Sequence, residues 1–396
     1  MRIGMALPNR PFPPDIRVTK EAQALAPFGH ECLLLCRRES GQAEVEEVAS
    51  VTAVRMRVHP ESALRRRLDS FRFLLTLDSP AWRHGMVSLV REHGAGAIHV
   101  HDLEYAWSGV KAAAETGVPL VVDLHENYPV ALSLYKRRAI DRLLFSPKRA
   151  ARLERRVLAR ADRIVVVVEE AKARLVALGG DPDKIVVFGN SEPRALAEPE
   201  PPALDLKSGP RIVYVGGIAR HRGLDTAVRA MVPLLAGEPL ARLTIVGDGD
   251  ALDGLKRLAH ELGVDRAIDF TGRLGFDDAM QYVRSATVAL VPHHRSAHTD
   301  ATVPHKLFQY MALGRPVLVS DCVPLERIVT ETRAGLVFPS GDADALAARV
   351  LEMHDPERAR LMAEAGRAAV LDRWNLEADA AALDGLYRSL DASASR

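Results

Sequence analysis

Short, nearly unbroken apolar runs alternate along this chain with stretches in which apolar residues recur at helical spacing. Such runs suit strands buried on both faces of a parallel sheet, because helices cover either side. In the first half they are RIGMAL, ECLLLC, VTAVRMRV, AIHVH, PLVVDL, RIVVVV and KIVVF. Residues 193–210, PRALAEPEPPALDLKSGP, interrupt the series with five prolines and no sustained apolar period, which reads as a linker. The series resumes with RIVYVG, RLTIVG, AIDFTG, TVALVP, PVLVS and GLVF. The pattern predicts an α/β protein of two doubly wound domains, 1–192 and 211–372. A cleft is expected between the carboxyl ends of their strands, where ligands bind in such sheets.

A length of 396 residues agrees with two domains rather than one core. The formal net charge of +1 excludes a generally basic nucleic-acid binder. Cys32, Cys36 and Cys322 cannot form a disulfide framework; Cys32 and Cys36 read as small buried apolar side chains in a strand. No apolar run reaches the roughly 18 residues of a membrane span, and a cytoplasmic protein is expected. One local excess stands out, the basic stretch 136–163, KRRAIDRLLFSPKRAARLERRVLARADR. It reads as a solvated helix face or as a surface resting on anionic lipid, a peripheral contact at the inner membrane face.

Candidate chemistry gathers at the ends of the apolar runs. VYVGGIARHRGLDTAV, Val213 to Val228, passes from a strand through glycines into a helix. That arrangement aims backbone N–H groups and a positive helix end at an anion, with Gly216 and Gly217 permitting close approach. Arg220 and Arg222 add charge suited to a departing diphosphate. The glycine spacing does not fit a dinucleotide fingerprint. His125 and Glu126 follow one strand and His101 and Asp102 another, where a bound ligand needs donors and acceptors. GDGD, from Gly247 to Asp250, reads as a glycine turn and helix N-cap, so no required metal is indicated. TDATVPHKLFQYMALGRPV, Thr299 to Val317, predicts a loop entering a helix, with Pro304 at its first position and Gly314 just past its end. Leu307, Met311 and Gly314 have the spacing of a buried stripe, and His305, Lys306 and Gln309 share another face.

Taken together, these stretches resemble the family 4 glycosyltransferases, retaining enzymes of the GT-B fold with two Rossmann-like domains facing a cleft. The landmarks are GHECLLL, DRIVVVVEEAKARL followed by KIVVFGNSEP, YVGGIARHRGLD, LTIVGDGD, DFTGRL, PHKLFQYMALGRPVLVSD and RWNLEADAAALDGLY, in that order. The resemblance implies a nucleotide sugar in the second domain, a hydroxyl acceptor (lipid-linked acceptors included) in the first, and no metal or other cofactor. UDP and GDP are the favoured bases. It also implies that residues 373–396 form a helix crossing back to the first domain. Arg222 takes the place of the family's diphosphate-binding lysine, and Gln309 that of a glutamate that holds the ribose. His125 matches the histidine near the transferred sugar. Phe270 to Leu274, with Thr271 and Gly272, would meet the base. Gly247, Asp300, Thr302, Val303 and Lys306 complete the implied donor site.

Three departures follow from the same comparison. Gly217 stands where the family has an arginine, which leaves Arg220 to compensate. Ala301 stands where the family has its first glutamate, with Asp300 one residue away. PNRPFPPDIR replaces a glycine-rich loop, and its prolines stiffen it. Asp15 and Arg17, with His101 and Glu126, then become acceptor-side candidates. The helix itself resembles that of a subgroup with the pattern P-x-K-L-F-E-Y-M-A. The expected function is retaining sugar transfer in polysaccharide, glycolipid or natural-product glycoside synthesis. A nucleotide-sugar epimerase of the same fold and a non-catalytic nucleotide-sugar-binding protein are the alternatives.

Overall fold

A computed structural model describes residues 1–56, 71–73, 75–134 and 146–394. The chain divides into two units, Met1–Gly189 with Glu377–Arg396, and Asn190–Leu376. In the first unit the strands are β1 (Arg2–Pro11), β2 (Glu31–Arg37), β3 (Val45–Val48), β4 (Val51–Met56), β5 (Ala97–His101), β6 (Leu120–Leu124), β7 (Arg163–Val166) and β8 (Ile185–Val187). They form one sheet in the order β3-β4-β2-β1-β5-β6-β7-β8. All neighbours are parallel except β3 and β4. β5 and β6 are buried at every position, including His99, His101 and Asp123, so helices shield both faces. The strand order reverses direction between β1 and β5, which makes the carboxyl ends there the natural ligand site.

The second unit repeats the plan with β9 (Arg211–Val215), β10 (Arg242–Val246), β11 (Ile268–Gly272), β12 (Val288–Val291), β13 (Val317–Ser320) and β14 (Gly335–Phe338). Their order is β11-β10-β9-β12-β13-β14, all parallel, with the reversal between β9 and β12. Tyr214, Ile245, Leu290 and Leu318 from the strands meet Val228, Met231, Val350 and Met353 from the covering helices in one core.

The structure differs from the sequence pattern in several places. β3 has no apolar run; Glu46 and Glu47 are exposed and the strand exists through antiparallel pairing with β4. The run VTAVRMRV is a strand from Val51 to Met56, and its last two residues lie outside the described residues. The proline-rich stretch 193–210 packs on the second unit: Ala197 is buried, Arg367 Nε donates to its carbonyl at 2.8 Å, and Arg315 donates to the Pro202 carbonyl. The last helix, Leu376–Ala394, lies in the first unit from Glu377 onward. Among the described residues no helix is long and apolar enough to cross a membrane.

Part of the basic stretch 136–163 lies outside the described residues. The rest includes the helix Pro147–Leu158, which buries Ala150, Leu153, Val157 and Leu158 and exposes Lys148, Arg152, Arg155 and Arg156. Its apolar side is thus already used inside the protein. Only the cationic side remains for a partner.

Candidate donor site and the histidine network

In the second unit, the chain leaves β9 through Gly216 and Gly217 into a 3-10 turn, Arg220–Arg222, and then the helix Leu224–Gly237. Gly216 has φ +136°, and a Cβ there would come within 2.8 Å of Lys306 Nζ. Gly247, at the end of β10, has φ +143°, and its Cβ would lie 2.0 Å from the Gly216 carbonyl oxygen. Both positions are left-handed and crowded, so glycine is required. The Tyr214 hydroxyl donates to the Gly217 carbonyl at 2.7 Å, and Val215 N donates to the Tyr310 hydroxyl at 2.8 Å. The glycine turn is therefore held from below by two tyrosines.

A cluster of basic side chains surrounds this turn. Lys306 Nζ sits 3.5 Å from the centroid of the Tyr214 ring, buried, with no hydrogen-bond partner among the described residues. Arg222 Nη1 donates to His293 Nε2 at 3.0 Å, which requires that nitrogen to be unprotonated. His221 and His298 meet edge to face at 5.7 Å. Burial, and then the positive charge of Arg222, pushes His221 and His298 down to about 4. The same two causes hold Lys306 well below the usual lysine range and His293 well below that of histidine. The nearby carboxylates have other partners: Asp225 with His294 at 2.8 Å, and Asp300 with Arg295 at 3.3 Å. Proton affinities lowered together by burial and by a shared arginine mark this cluster as a candidate site for an anionic ligand.

The helix His305–Ala312 closes the unit from another side. Pro304 is its N-cap rather than its first residue, and Gly314 is left-handed at φ +60°. Every residue from Lys306 to Ala312 is buried, so the expected two-faced helix is enclosed all round. His305 Nδ1 lies 3.0 Å from the Asn190 carbonyl oxygen, and Asn190 donates to the Val303 carbonyl at 2.7 Å. Gln309 Nε2 donates to Glu192 Oε1 at 2.9 Å. Sequence position alone left Gln309 without a partner inside the protein; Glu192 supplies one. Gln309→Glu would set two buried carboxylates against each other. It is expected to lower stability by roughly 1–3 kcal/mol. The deficit should shrink on acidification as one carboxyl takes a proton, a trend that melting temperatures at pH 5.5 and 8 would reveal.

The remaining predicted donor residues lie in the same unit. Asp300 Oδ1 accepts from Val323 N at 3.0 Å, capping the helix Val323–Thr332, and its Oδ2 accepts from Arg295. Arg220 is exposed and lines a cavity of about 600 Å³ with Asp250, Arg257 and His294. Thr271 Oγ1 donates to the Gly272 carbonyl at 3.0 Å, and that carbonyl also accepts from Gly247 N at 2.8 Å. Ala301 and Val303 are buried, and Thr302 is half-buried. Asp250 does not cap the helix after GDGD; that helix, Leu252–Glu261, begins at Ala251 with no side-chain cap.

The first unit holds a second cluster, at the carboxyl ends of β5 and β6. Asp123 is wholly buried. Its Oδ2 accepts from Arg17 Nε at 3.0 Å and lies 2.7 Å from His125 Nε2; its Oδ1 accepts from Arg17 Nη2 at 3.1 Å. Arg17 Nη1 donates to the Phe188 and Gly189 carbonyls at 2.8 and 3.0 Å, and its Nε is also 2.8 Å from Glu21 Oε1. His101 Nδ1 is 3.3 Å from His125 Nε2, and His101 stacks on His99 at 4.6 Å. His99 Nδ1 reaches the Tyr387 hydroxyl at 2.5 Å. Burial would lower His125, but Asp102 and Asp123 overcome it and push it up to about 10, so the ring is an imidazolium at neutral pH. His125 retains partial exposure, and Asp102 stands 3.3 Å from its Nδ1. Asp102 itself has φ +67° and ψ 152°, a backbone region open mainly to glycine.

Comparison with known proteins fits this geometry. A family model described as "Glycosyl transferase 4-like domain" matches residues 14–191, and one described as "Glycosyl transferases group 1" matches residues 209–355. The chain belongs to the family 4 glycosyltransferases. The D-inositol 3-phosphate glycosyltransferase of Acidothermus cellulolyticus is 29% identical over 317 residues, covering 76% of this chain and 68% of that protein. The GDP-mannose-dependent alpha-(1-6)-phosphatidylinositol monomannoside mannosyltransferase of Mycolicibacterium smegmatis is 25% identical over 87% of each chain. Sucrose-phosphate synthase from Thermosynechococcus elongatus shares the fold at a TM-score of 0.80, with 22% identity over 99% of both chains. The fold is thus GT-B, with two Rossmann-like units.

In this glycosyltransferase the structure brings Gly216, Gly247, Lys306 and Arg222 together in one unit, and Arg17, His101 and His125 together in the other. Asp15 is the N-cap of the helix Ile16–Leu25, its side chain accepting from Val18 N at 3.0 Å. Glu126 is half-buried beside His125. Sequence reasoning passed over His221, His293, His298, Glu21, His99, Asp123 and Glu192. A signal existed for some of them: three histidines follow one strand within VPHHRSAH, and His99 and Asp123 are polar residues inside otherwise apolar strands. Glu21, His99, His101 and Asp123 also bring one ligand atom each within 4.8 Å of the others, a spread that fits a metal ion. Arg17 and the charged His125 already neutralise both carboxylates, so charge balance disfavours a further cation there.

Proposed function

We propose that this glycosyltransferase moves a hexose from a nucleotide sugar to a hydroxyl acceptor with retention of configuration. The observation that carries the reading is the basic cluster of Arg222, Lys306 and three histidines around the glycine turn after β9. A donor diphosphate has the charge that this cluster lacks. In the proposed step, the bond from the anomeric carbon to the diphosphate oxygen breaks while the acceptor oxygen bonds to the same face. The acceptor proton passes to the departing phosphate oxygen, so no protein base and no metal is required. Arg222 and the turn stabilise the charge that develops on the leaving group. His125, held charged by Asp102 and Asp123, is assigned to hydrogen bonding with sugar hydroxyls, and it cannot serve as a base in that form.

UDP and GDP are the proposed bases; the Mycolicibacterium relative is named as GDP-mannose-dependent. The acceptor belongs to polysaccharide, glycolipid or glycoside assembly, and a lipid-linked acceptor suits the exposed cationic side of the helix Pro147–Leu158. A thermal-shift panel of UDP-, GDP- and dTDP-sugars, followed by slow hydrolysis of the best binder, tests the donor. Stabilisation by one nucleotide class supports the reading. Release of a chemically changed sugar without acceptor would instead identify an epimerase, and binding with neither transfer nor hydrolysis a non-catalytic protein.

Contact with a membrane is proposed to be electrostatic, because the helix's apolar residues are buried. The protein is expected to float with vesicles containing phosphatidylglycerol at low salt and to dissociate near 0.5 M salt, where screening shortens to roughly 4–5 Å. Failure to float at low salt would remove the membrane contact from the proposal.

A further inference from the structure

The reversal point of the second sheet brings two loops together: the glycine turn after β9, carrying His221 and Arg222, and the segment after β12, carrying His293 and His298. Lys306 enters from the helix His305–Ala312. Arginine and lysine alone would make an anion site. Three imidazoles added to them form an unusual surround, since each can be neutral in the empty protein and positive around an anion.

We propose that donor binding by this enzyme is coupled to proton uptake, with His221 and His298 acting as further ligands of the donor diphosphate. The inference rests on the reading that Arg222 and Lys306 face that diphosphate. Three geometric observations carry it. His221 and His298 meet edge to face at 5.7 Å, the Arg222 guanidinium engages the neighbouring His293, and Lys306 Nζ is buried without a hydrogen-bond partner beside Gly216. Burial and Arg222 hold His221 and His298 at about 4 in the empty site and hold Lys306 well below the usual lysine range.

The surrounding charges do not remove this demand. On the turn itself are Arg220 and Arg222. From the loop after β10, Asp250 faces His221 and draws its proton affinity up slightly, but less than burial and the three basic groups draw it down. From the helix Leu224–Gly237, Asp225 is paired with His294. From the segment after β12, Arg295 is paired with Asp300 and Asp321. From β9, Tyr214 presents a ring face to Lys306 and its hydroxyl to Gly217. An arriving diphosphate would place a strong anion against the cluster. It raises the proton affinity of each basic group it touches, and binding must then draw protons from solution.

The sign follows from linkage. Protons are taken up between the proton affinities of the empty and occupied states, so donor affinity rises as pH falls through that window. It levels off where the empty site already holds the protons, near and below about 4 for His221 and His298.

Isothermal titration with UDP-glucose and with GDP-mannose, each at pH 7 in PIPES, HEPES and Tris, measures the uptake directly. A nucleotide sugar is the right probe because its diphosphate carries no group that titrates near neutrality, unlike a free nucleoside diphosphate. The binding heat should vary linearly with the ionisation enthalpy of the buffer, with a slope of about one proton or more taken up, and affinity should weaken up to about tenfold per proton for each pH unit gained. The double variant H221N/H298N should bind more weakly with a smaller slope, and Lys306→Met should remove a separate part of it. Buffer-independent heats with clear binding would overturn the proton coupling and leave the donor site standing. An unchanged slope in H221N/H298N would overturn the assignment to these two histidines. If neither sugar binds at any pH, the donor reading itself fails.

Discussion

Arg222→Ala lowers turnover by roughly 10²–10³-fold while the protein stays folded, the cost of removing one preorganised donor to developing charge. Arg222 is only half-buried, and it donates to the His293 ring at 3.0 Å, so its loss opens no cavity in the core. The same change removes the positive charge that lowers the proton affinity of Lys306, His221, His293 and His298, and it also removes the hydrogen bond to His293. Melting temperature should therefore change little. Arg222→Lys keeps a mobile cation at the same place and is expected to retain activity within about tenfold of the parent, since a point charge replaces a fork of donors. Near-normal turnover in the alanine variant, measured by donor hydrolysis or by transfer, would overturn the placement of the diphosphate.

Asp123→Ala is expected to destabilise the first unit by roughly 3–5 kcal/mol, because it leaves a buried guanidinium and a charged imidazole without their shared acceptor. Urea unfolding, followed by fluorescence, should show the loss in midpoint, and Asp123→Asn should recover part of it. The same network fixes the dependence on pH. Burial would raise the Asp123 carboxyl, but Arg17 and His125 hold it well below the usual carboxylate range. Its contribution is therefore present above its ordinary value of 3.8 and disappears only in stronger acid. His125 runs the other way. Its contribution is complete below 6.5 and declines as pH rises toward about 10. Glu21, raised well above 4.5 by burial and then by Asp123, also favours the fold less as pH rises. Stability should thus decline from neutrality toward pH 10, and His125→Gln should make that decline shallower rather than abolish it. An identical slope in the variant would show that His125 is not the charged partner.

The parallel strands were legible because strands covered on both faces must be apolar at nearly every position. β3 was not, since its two exposed glutamates carry no burial signal and its existence depends on pairing with β4. The glycine turn after β9 was legible in its residue types, and the structure adds the reason for them: a side chain at Gly216 or Gly247 would collide with Lys306 or with the turn. The helix His305–Ala312 misled in part. Period alone gave it one buried stripe, but Gln309 finds Glu192, Tyr310 meets Val215 N, and Lys306 lies against Tyr214, so its polar side is buried too. Such partners come from segments far away in sequence, and no local pattern announces them. The same holds for Arg17 and Asp123, which are 106 residues apart and share one ion pair. Asp15 and Asp300 show a structural use that the sequence did not announce: each accepts from a backbone N–H at the start of a helix.

Asp102 has a practical consequence for anyone redesigning this enzyme. Holding a non-glycine residue at φ +67° and ψ 152° costs about 1–3 kcal/mol. A procedure that ranks substitutions by thermal tolerance would therefore select glycine at this position. Glycine would relax the backbone and, in the same stroke, remove one of the two carboxylates that keep His125 charged. The hardier enzyme would carry a neutral ring in a larger share of its molecules at mildly alkaline pH. Position 102 is where an unstrained backbone and a charged His125 make opposite demands on a single residue.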